Sequence, residues 1–352
     1  MNFIKRIRQL GFLFNRSLLI IRLLKNYFKL IVLKKKVLRN VEIALGYNCQ
    51  CNCSHCYAYK FYNSAKKVLN TKQVKKIIDE CLNLGAIHIN FTGGEPLLRK
   101  DIYELIKYAK PYKTIISIDT NGILLTERKI KKLKEAGLSL ILISLDSPIA
   151  EEHNKNRGIK DSFEKVLNAI KYSKKNNMKV MINTVLTHEM MSNGRVWDLI
   201  KLAKKLDLII SIVTPCAVGK WLDKNDVLWD NDDLKLFKKL LKYPFIRNDL
   251  ESNYLKLGCG AGIEKIGITA YGDVLPCPVI PISFGNVMKE PLGTIWKRIY
   301  KTQTFNNMYP MCRGGEKKFI NKFIKPIGDK DKMPISANKH NIFRKMVSNN
   351  EF

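Results

Sequence analysis

The chain has 352 residues, 46% of them hydrophobic and 26% charged, enough for one large α/β domain and a smaller appendage. Its nine cysteines, an odd number without a charged–apolar–small-residue leader, argue against a secreted disulfide scaffold and for metal-bound thiols in the cytoplasm. The formal net charge of +31 marks either a solvated lysine-rich face or a surface for acidic partners or anionic lipid; no groove-reading or base-stacking motif accompanies it, which counts against nucleic acid.

Residues 1–40 are apolar with a basic stripe, in which Arg22, Lys29 and Lys36 recur in register with Arg8. No uncharged run reaches the roughly 18 residues of a membrane-spanning helix. The segment reads as an amphipathic helix lying peripherally on the inner face of a membrane, or as one packed on the protein's own barrel or on a partner subunit. From residue 41 strands and helices alternate. Strand patterns fall at 41–45, 87–91, 114–118, 140–145, 179–186 and 208–213. Helical patterns fall at 71–84, 101–110, 126–136, 161–176, 194–206 and 231–242. Gly85, Asn121-Gly122 and Gly137 punctuate the strands, and Thr126 and Asp161 stand at helix N-cap positions. Six βα repeats over 41–214 are too few for a closed eight-stranded barrel. They predict an α/β fold, a partial (β/α)6 barrel with its chemistry at the C-terminal strand ends.

The first strand runs into Cys49, Cys53 and Cys56, followed by Tyr57. Three thiols this close can converge on one soft metal centre, an iron–sulfur cluster or a zinc ion, although structural zinc wants a fourth ligand and no second Cys-x-x-Cys knuckle exists. The second strand runs into Gly93, Gly94, Glu95 and Pro96, where paired glycines let backbone approach closely and a carboxylate can accept from an ammonium. Ser144 and Asp146 end the fourth strand, Arg157 follows a short loop, and Asn183 alternates with apolar neighbours on the fifth. Cys51 reads as a spectator thiol, Cys81 as a buried small hydrophobe, His55 as a loop residue and His88 as structural.

CxxxCxxC with a trailing aromatic resembles the signature of the radical S-adenosylmethionine (radical SAM) enzymes. The resemblance implies that Cys49, Cys53 and Cys56 hold a [4Fe–4S] cluster whose free iron chelates S-adenosylmethionine. It places Gly93, Gly94, Glu95 and Pro96 at the methionine amino group, and Ser144 and Arg157 near the ribose and carboxylate, with Tyr57 beside them. It further implies an electron donor of flavodoxin or ferredoxin type, reductive cleavage to a 5′-deoxyadenosyl radical, and hydrogen abstraction from a substrate inside the barrel.

Past residue 214 the rhythm ends. Cys259, a Gly272-Asp273 hairpin turn and Cys277, followed by Phe284–Val287 and Pro291–Trp296, resemble the SPASM and twitch extensions that hold auxiliary iron–sulfur clusters in that family. Only Cys312 follows, and Glu316 stands where another cysteine is expected. The resemblance therefore implies an extension over 215–319 with one auxiliary cluster on Cys259, Cys277 and Cys312, its fourth ligand Cys216, a substrate atom or none, or else a degenerate domain without a cluster. Residues 320–352 read from composition as a basic, poorly ordered tail. The expected activity is radical modification of a peptide or protein, with a sugar, tetrapyrrole or lipid-linked small molecule as the second reading. A zinc-stabilised nucleic-acid-binding protein is the alternative of another class.

Overall fold

A computed structural model describes residues 17–111, 113–251, 253–255, 258–328 and 333–344. Residues 1–16 of the expected amphipathic segment and 345–352 of the expected tail lie outside them. Nine strands form one sheet in the order β7-β6-β5-β4-β3-β2-β1-β8-β9. They are β1 (Asn40–Ala44), β2 (His88–Thr92), β3 (Ile115–Thr120), β4 (Leu140–Ser144), β5 (Val180–Val185), β6 (Ile209–Val213), β7 (Ile246–Asn248), β8 (Lys265–Ile268) and β9 (Val274–Leu275). Every pairing is parallel except β8–β9, the hairpin turned by Gly272 in the left-handed region. The six expected strands form the middle of an open partial barrel. Both edges come from beyond residue 214, β7 against β6 and β8 against β1.

The two-residue period of each strand sorts its side chains. Val41, Ile43, Ile89, Ile116, Ile141 and Ile182 face outward and are almost fully buried under the helices. The opposite face lines a lumen with two kinds of wall. Glu42, Asn90, Ser117 and Asp119 on β1–β3 are polar. Leu142, Met181 and Ile209 on β4–β6, joined to Asp119 by strand register, are apolar and half-buried.

The outer layer comprises α1 (Ser17–Ile31), α2 (Thr71–Asn83), α3 (Ile102–Tyr108), α4 (Glu127–Glu135), α5 (Ala150–Arg157), α6 (Ser162–Lys175), α7 (His188–Ser192), α8 (Arg195–Lys205), α9 (Asn231–Leu240) and α10 (Leu292–Lys301). Thr126 caps α4 as expected. Asp161 does not cap α6: its backbone is left-handed, and Asn154 instead accepts from Phe163 N–H at 2.9 Å and from Ser162 at 2.8 Å. The short helix α5, which carries Arg157, has almost no amphipathic pattern, so periodicity could not announce it. No helix among the described residues is long and apolar enough to cross a membrane.

The tail departs from expectation. Phe323 and Phe343 are buried, stack at 5.4 Å, and join Phe284 and Phe305 in a cluster beneath the extension. The buried aromatics outweigh the polar composition of the segment, which accordingly packs over 320–328 and 333–344.

Candidate active site

The cysteine loop leaves β1 at the C-terminal end of the sheet, and Ala44 pairs with Thr92, which opens the glycine turn. The two loops are joined main chain to main chain. Gly94 N–H donates to Gly46 O at 2.8 Å and Glu95 N–H donates to Asn48 O at 2.9 Å. A Cβ at Gly93 would lie 2.2 Å from Gly46 O, and one at Gly94 would lie 2.3 Å from Asn48 O. The paired glycines are therefore required by the cysteine loop itself.

From the other side, Asn52 N–H donates to Arg157 O at 3.0 Å and Ser54 N–H donates to Asn156 O at 2.9 Å, tying the loop to the end of α5. The loop after β6 closes over it: Lys220 N–H donates to Cys56 O at 3.1 Å, and a Cβ at Gly219 would meet Cys56 O at 2.3 Å. The His55 ring lies 5.5 Å from that of Trp221.

Donors converge on the sulfurs. Cys51 N–H lies 3.4 Å and Asn121 Nδ2 3.7 Å from Cys49 Sγ, and the Arg157 guanidinium lies 3.6 Å from Cys53 Sγ. The Cys51 thiol shares hydrogen bonds with Cys49 and Cys53, which lower both neighbours and raise Cys51. Arg157 lowers Cys53 further, whereas burial pushes Cys56 up. Arg157 also donates to Asp146 Oδ1 at 2.6 Å. Burial works against the Asp146 charge, but Arg157 outweighs it and holds the carboxyl below its ordinary value. Asp146 Oδ2 and Arg157 Nε are buried polar atoms that make no hydrogen bond.

Glu95 faces inward. Its carboxylate accepts from Thr120 Oγ1 at 2.9 Å and from the N–H groups of Asn121 and Leu97 at 3.0 Å each, while burial raises its pKa. It thereby holds Asn121 over Cys49. The sequence marked Asn121 only as a turn, and no spacing tied it to the cysteines. Pro96 starts a buried turn, Ser144 ends β4 in register with Asn183, and the Tyr57 phenol is hydrogen-bonded to Thr92 and pushed up by burial.

A polar ladder continues down the lumen. Asn90 donates to Asp119 at 2.7 Å and accepts from Ser117 at 2.7 Å, and His88 lies 2.7 Å from Ser117. Lys265 pairs with Glu42 at 2.8 Å. Burial and the Glu42 charge push Asp119 up to about 7, and burial holds His88 neutral at about 4.

The remaining cysteines gather at the seam between barrel and extension. Cys216 Sγ lies 3.9 Å from Cys312 Sγ. Cys259 N–H donates to Tyr309 O at 2.6 Å, clamping its segment to the one that carries Cys312. The Cys277 thiol is raised chiefly by burial, with Cys259 and Cys312 among the charges it feels. Glu316 accepts from Tyr309 Oη at 2.6 Å and so supports the clamp.

Among the described residues no three cysteine sulfurs lie within 4.8 Å of one another. A cluster, in which each thiolate takes its own iron, does not require three sulfurs to lie that close. The tighter set of His188, Asp230 and Asp233 is explained by the capping box of α9.

Residues 43–203 match the radical SAM superfamily, and residues 259–315 match an iron–sulfur cluster-binding domain of SPASM type. The chain is 26% identical to the AdoMet-dependent heme synthase of Methanosarcina barkeri, covering 73% of this chain and 80% of that protein. It is also 26% identical to the PqqA peptide cyclase of Rhizobium meliloti, covering 78% and 79%. In fold it resembles Streptococcus suis SuiB bound to the precursor peptide SuiA, with a TM-score of 0.64 at 17% identity over 80% of this chain and 69% of that one.

Proposed function

We propose that this chain, which belongs to the radical SAM superfamily and carries a SPASM-type iron–sulfur extension, modifies a peptide or protein substrate by radical oxidation or cross-linking. When bound, the [4Fe–4S] cluster and S-adenosylmethionine supply a 5′-deoxyadenosyl radical that removes a hydrogen atom from the substrate. Cys49, Cys53 and Cys56 would hold that cluster; the Cys51 N–H donates to Cys49 and Arg157 to Cys53, and Glu95 fixes Asn121 above Cys49. Gly93, Gly94, Glu95 and Pro96 are assigned to the methionine amino group of S-adenosylmethionine, and Ser144 and Arg157 to its ribose and carboxylate, with Tyr57 beside them. Cys216, Cys259, Cys277 and Cys312 would hold one auxiliary cluster, with Cys216 as the fourth ligand. The basic surface suits an acidic flavodoxin- or ferredoxin-type donor.

One observation carries the substrate reading: Lys265 in the lumen is paired with Glu42, and Asp119 and Asn90 stand beside it. Such a wall suits amide groups, whereas a polycarboxylate would meet carboxylates. The opposite wall of Leu142 and Met181 suits an apolar side chain. The heme synthase relatives favour a tetrapyrrole as the second reading. The deciding experiment incubates the anaerobically reconstituted protein with S-adenosylmethionine, dithionite and each short peptide encoded beside its gene. Substrate-dependent 5′-deoxyadenosine together with a peptide lighter by a pair of hydrogens is expected. Turnover of an iron tetrapyrrole, with every peptide left unchanged, refutes the peptide reading.

A further inference from the structure

Helix α1 has two apolar faces, and the barrel uses one. Leu19 and Asn26 are buried, and Leu23, Tyr27 and Leu30 pack with Val37, Ile87 and Tyr254. Asn26 Nδ2 donates to Gly85 O at 2.8 Å, and the Arg22 guanidinium donates to Ala86 O at 3.0 Å. These contacts seat the helix across the N-terminal ends of the strands, the end opposite the cysteine loop.

At about 100° per residue, the side turned away from the barrel carries Leu18, Ile21, Leu24, Phe28 and Ile31, which are 43%, 46%, 64%, 55% and 50% exposed. Val32 and Leu33 extend the strip at 59% and 45%. Apolar surface this continuous is rare on a soluble monomer. Its border is cationic: Lys25 and Lys29 flank it, Lys34, Lys35 and Lys36 follow it, and all five are exposed. The first 41 residues hold eleven Lys and Arg and no Asp or Glu. An acidic protein partner could cover part of the strip, but an extended anionic surface matches both its length and so one-sided a charge.

We infer that α1 docks on a bilayer surface containing anionic phospholipid, with Leu24 and Phe28 entering the acyl boundary and the lysines at headgroup level. The docked protein then holds the C-terminal ends of its strands away from the bilayer, so substrate enters the barrel from water. This inference does not rest on the substrate reading above.

The test is sedimentation of the full reconstituted chain with vesicles of phosphatidylcholine alone or of equimolar phosphatidylcholine and phosphatidylglycerol. Binding about tenfold or more tighter to the anionic vesicles is expected, weakening as salt rises. The double variant Leu24→Gln/Phe28→Gln should lose about tenfold or more of that binding. It should retain the wild-type circular dichroism spectrum and 5′-deoxyadenosine formation, because both side chains already face solvent. Lys34→Glu/Lys35→Glu/Lys36→Glu, which leaves α1 intact, should lose the preference for anionic vesicles and serves as the reading if the double variant misfolds. Equal or absent binding to the two vesicle types overturns the inference. So does anionic binding that survives the double variant, which would be charge alone, or a dimer that the double variant dissociates without any change in vesicle binding, which would make a second copy the occupant.

Discussion

Replacing Gly94 with alanine tests whether the glycine pair exists to seat the cysteine loop. The added Cβ would lie 2.3 Å from Asn48 O and 2.7 Å from Tyr47 O, and both obstacles are backbone. To regain ordinary contact the loop must retreat by about 1 Å, which strains the hydrogen bonds at Gly46 and Asn48 and costs about 1–3 kcal/mol of overpacking. A 1 Å displacement of positioned reacting groups costs about a hundredfold in rate. Gly94→Ala should therefore lower the midpoint of urea unfolding, reduce iron bound on anaerobic reconstitution, and slow 5′-deoxyadenosine formation by about that factor. Gly46→Ala is the internal control, since a Cβ there meets nothing within 4 Å and should be silent in all three assays. Full iron content and wild-type turnover in Gly94→Ala would refute the reasoning, as would a Gly46→Ala defect of equal size.

The other predictions concern buried charge and the second cysteine set. Arg157→Met strands the Asp146 carboxylate and removes the donor to Cys53; a loss of about 3–5 kcal/mol in denaturant unfolding is expected, and a loss below about 1 kcal/mol would show the pair to be inconsequential. Asp119 ionises near 3.8 in the unfolded chain and about 7 in the fold, where it faces Glu42, Asn90, Lys265 and Glu95. The folded state thus holds the proton that the unfolded chain releases, so Asp119's contribution to stability is full below 3.8 and is lost as pH rises through about 7. Asp119→Asn should flatten that fall in urea titrations, and an unchanged pH slope would contradict it. In a background where Cys49, Cys53 and Cys56 are serine, Cys216→Ala should lower the iron seen by Mössbauer spectroscopy; unchanged iron would remove Cys216 from the ligand set.

The barrel was legible because each of its central strands alternates β-branched residues against the helices, as Val41 and Ile43 do, and each is followed by a helix with a matching apolar stripe. The cysteine and glycine motifs were legible for the same local reason, since each lies within a few residues of a strand end. What escaped was long-range. Asn121 reaches Cys49 across 72 residues, Lys220 reaches Asn52 across 168, and β8 finds β1 from the far half of the chain. None of these pairings leaves a periodic trace. The described part of the tail escaped for a related reason: its short apolar runs, 319–324 and 342–343, stand between lysine- and asparagine-rich stretches, and Phe343 gains its value from meeting Phe284, Phe305 and Phe323 in three dimensions.

The segment after β6 gives the two cysteine sets a common mechanical element. Cys216 stands 3.9 Å from Cys312, and three residues later Gly219 lies so close to the cysteine loop that even a Cβ would meet Cys56 O at 2.3 Å. Gly314 presses on the same segment from the extension, its absent Cβ 2.9 Å from Cys216 Sγ. Close-packed contacts of this kind do not deform continuously, so on the proposed ligand set a shift of Cys216 on taking metal would bear on the Cys56 carbonyl through a turn of about four residues. Iron held at the seam on that ligand set would therefore have a structural consequence at Cys56 separate from any electron it carried.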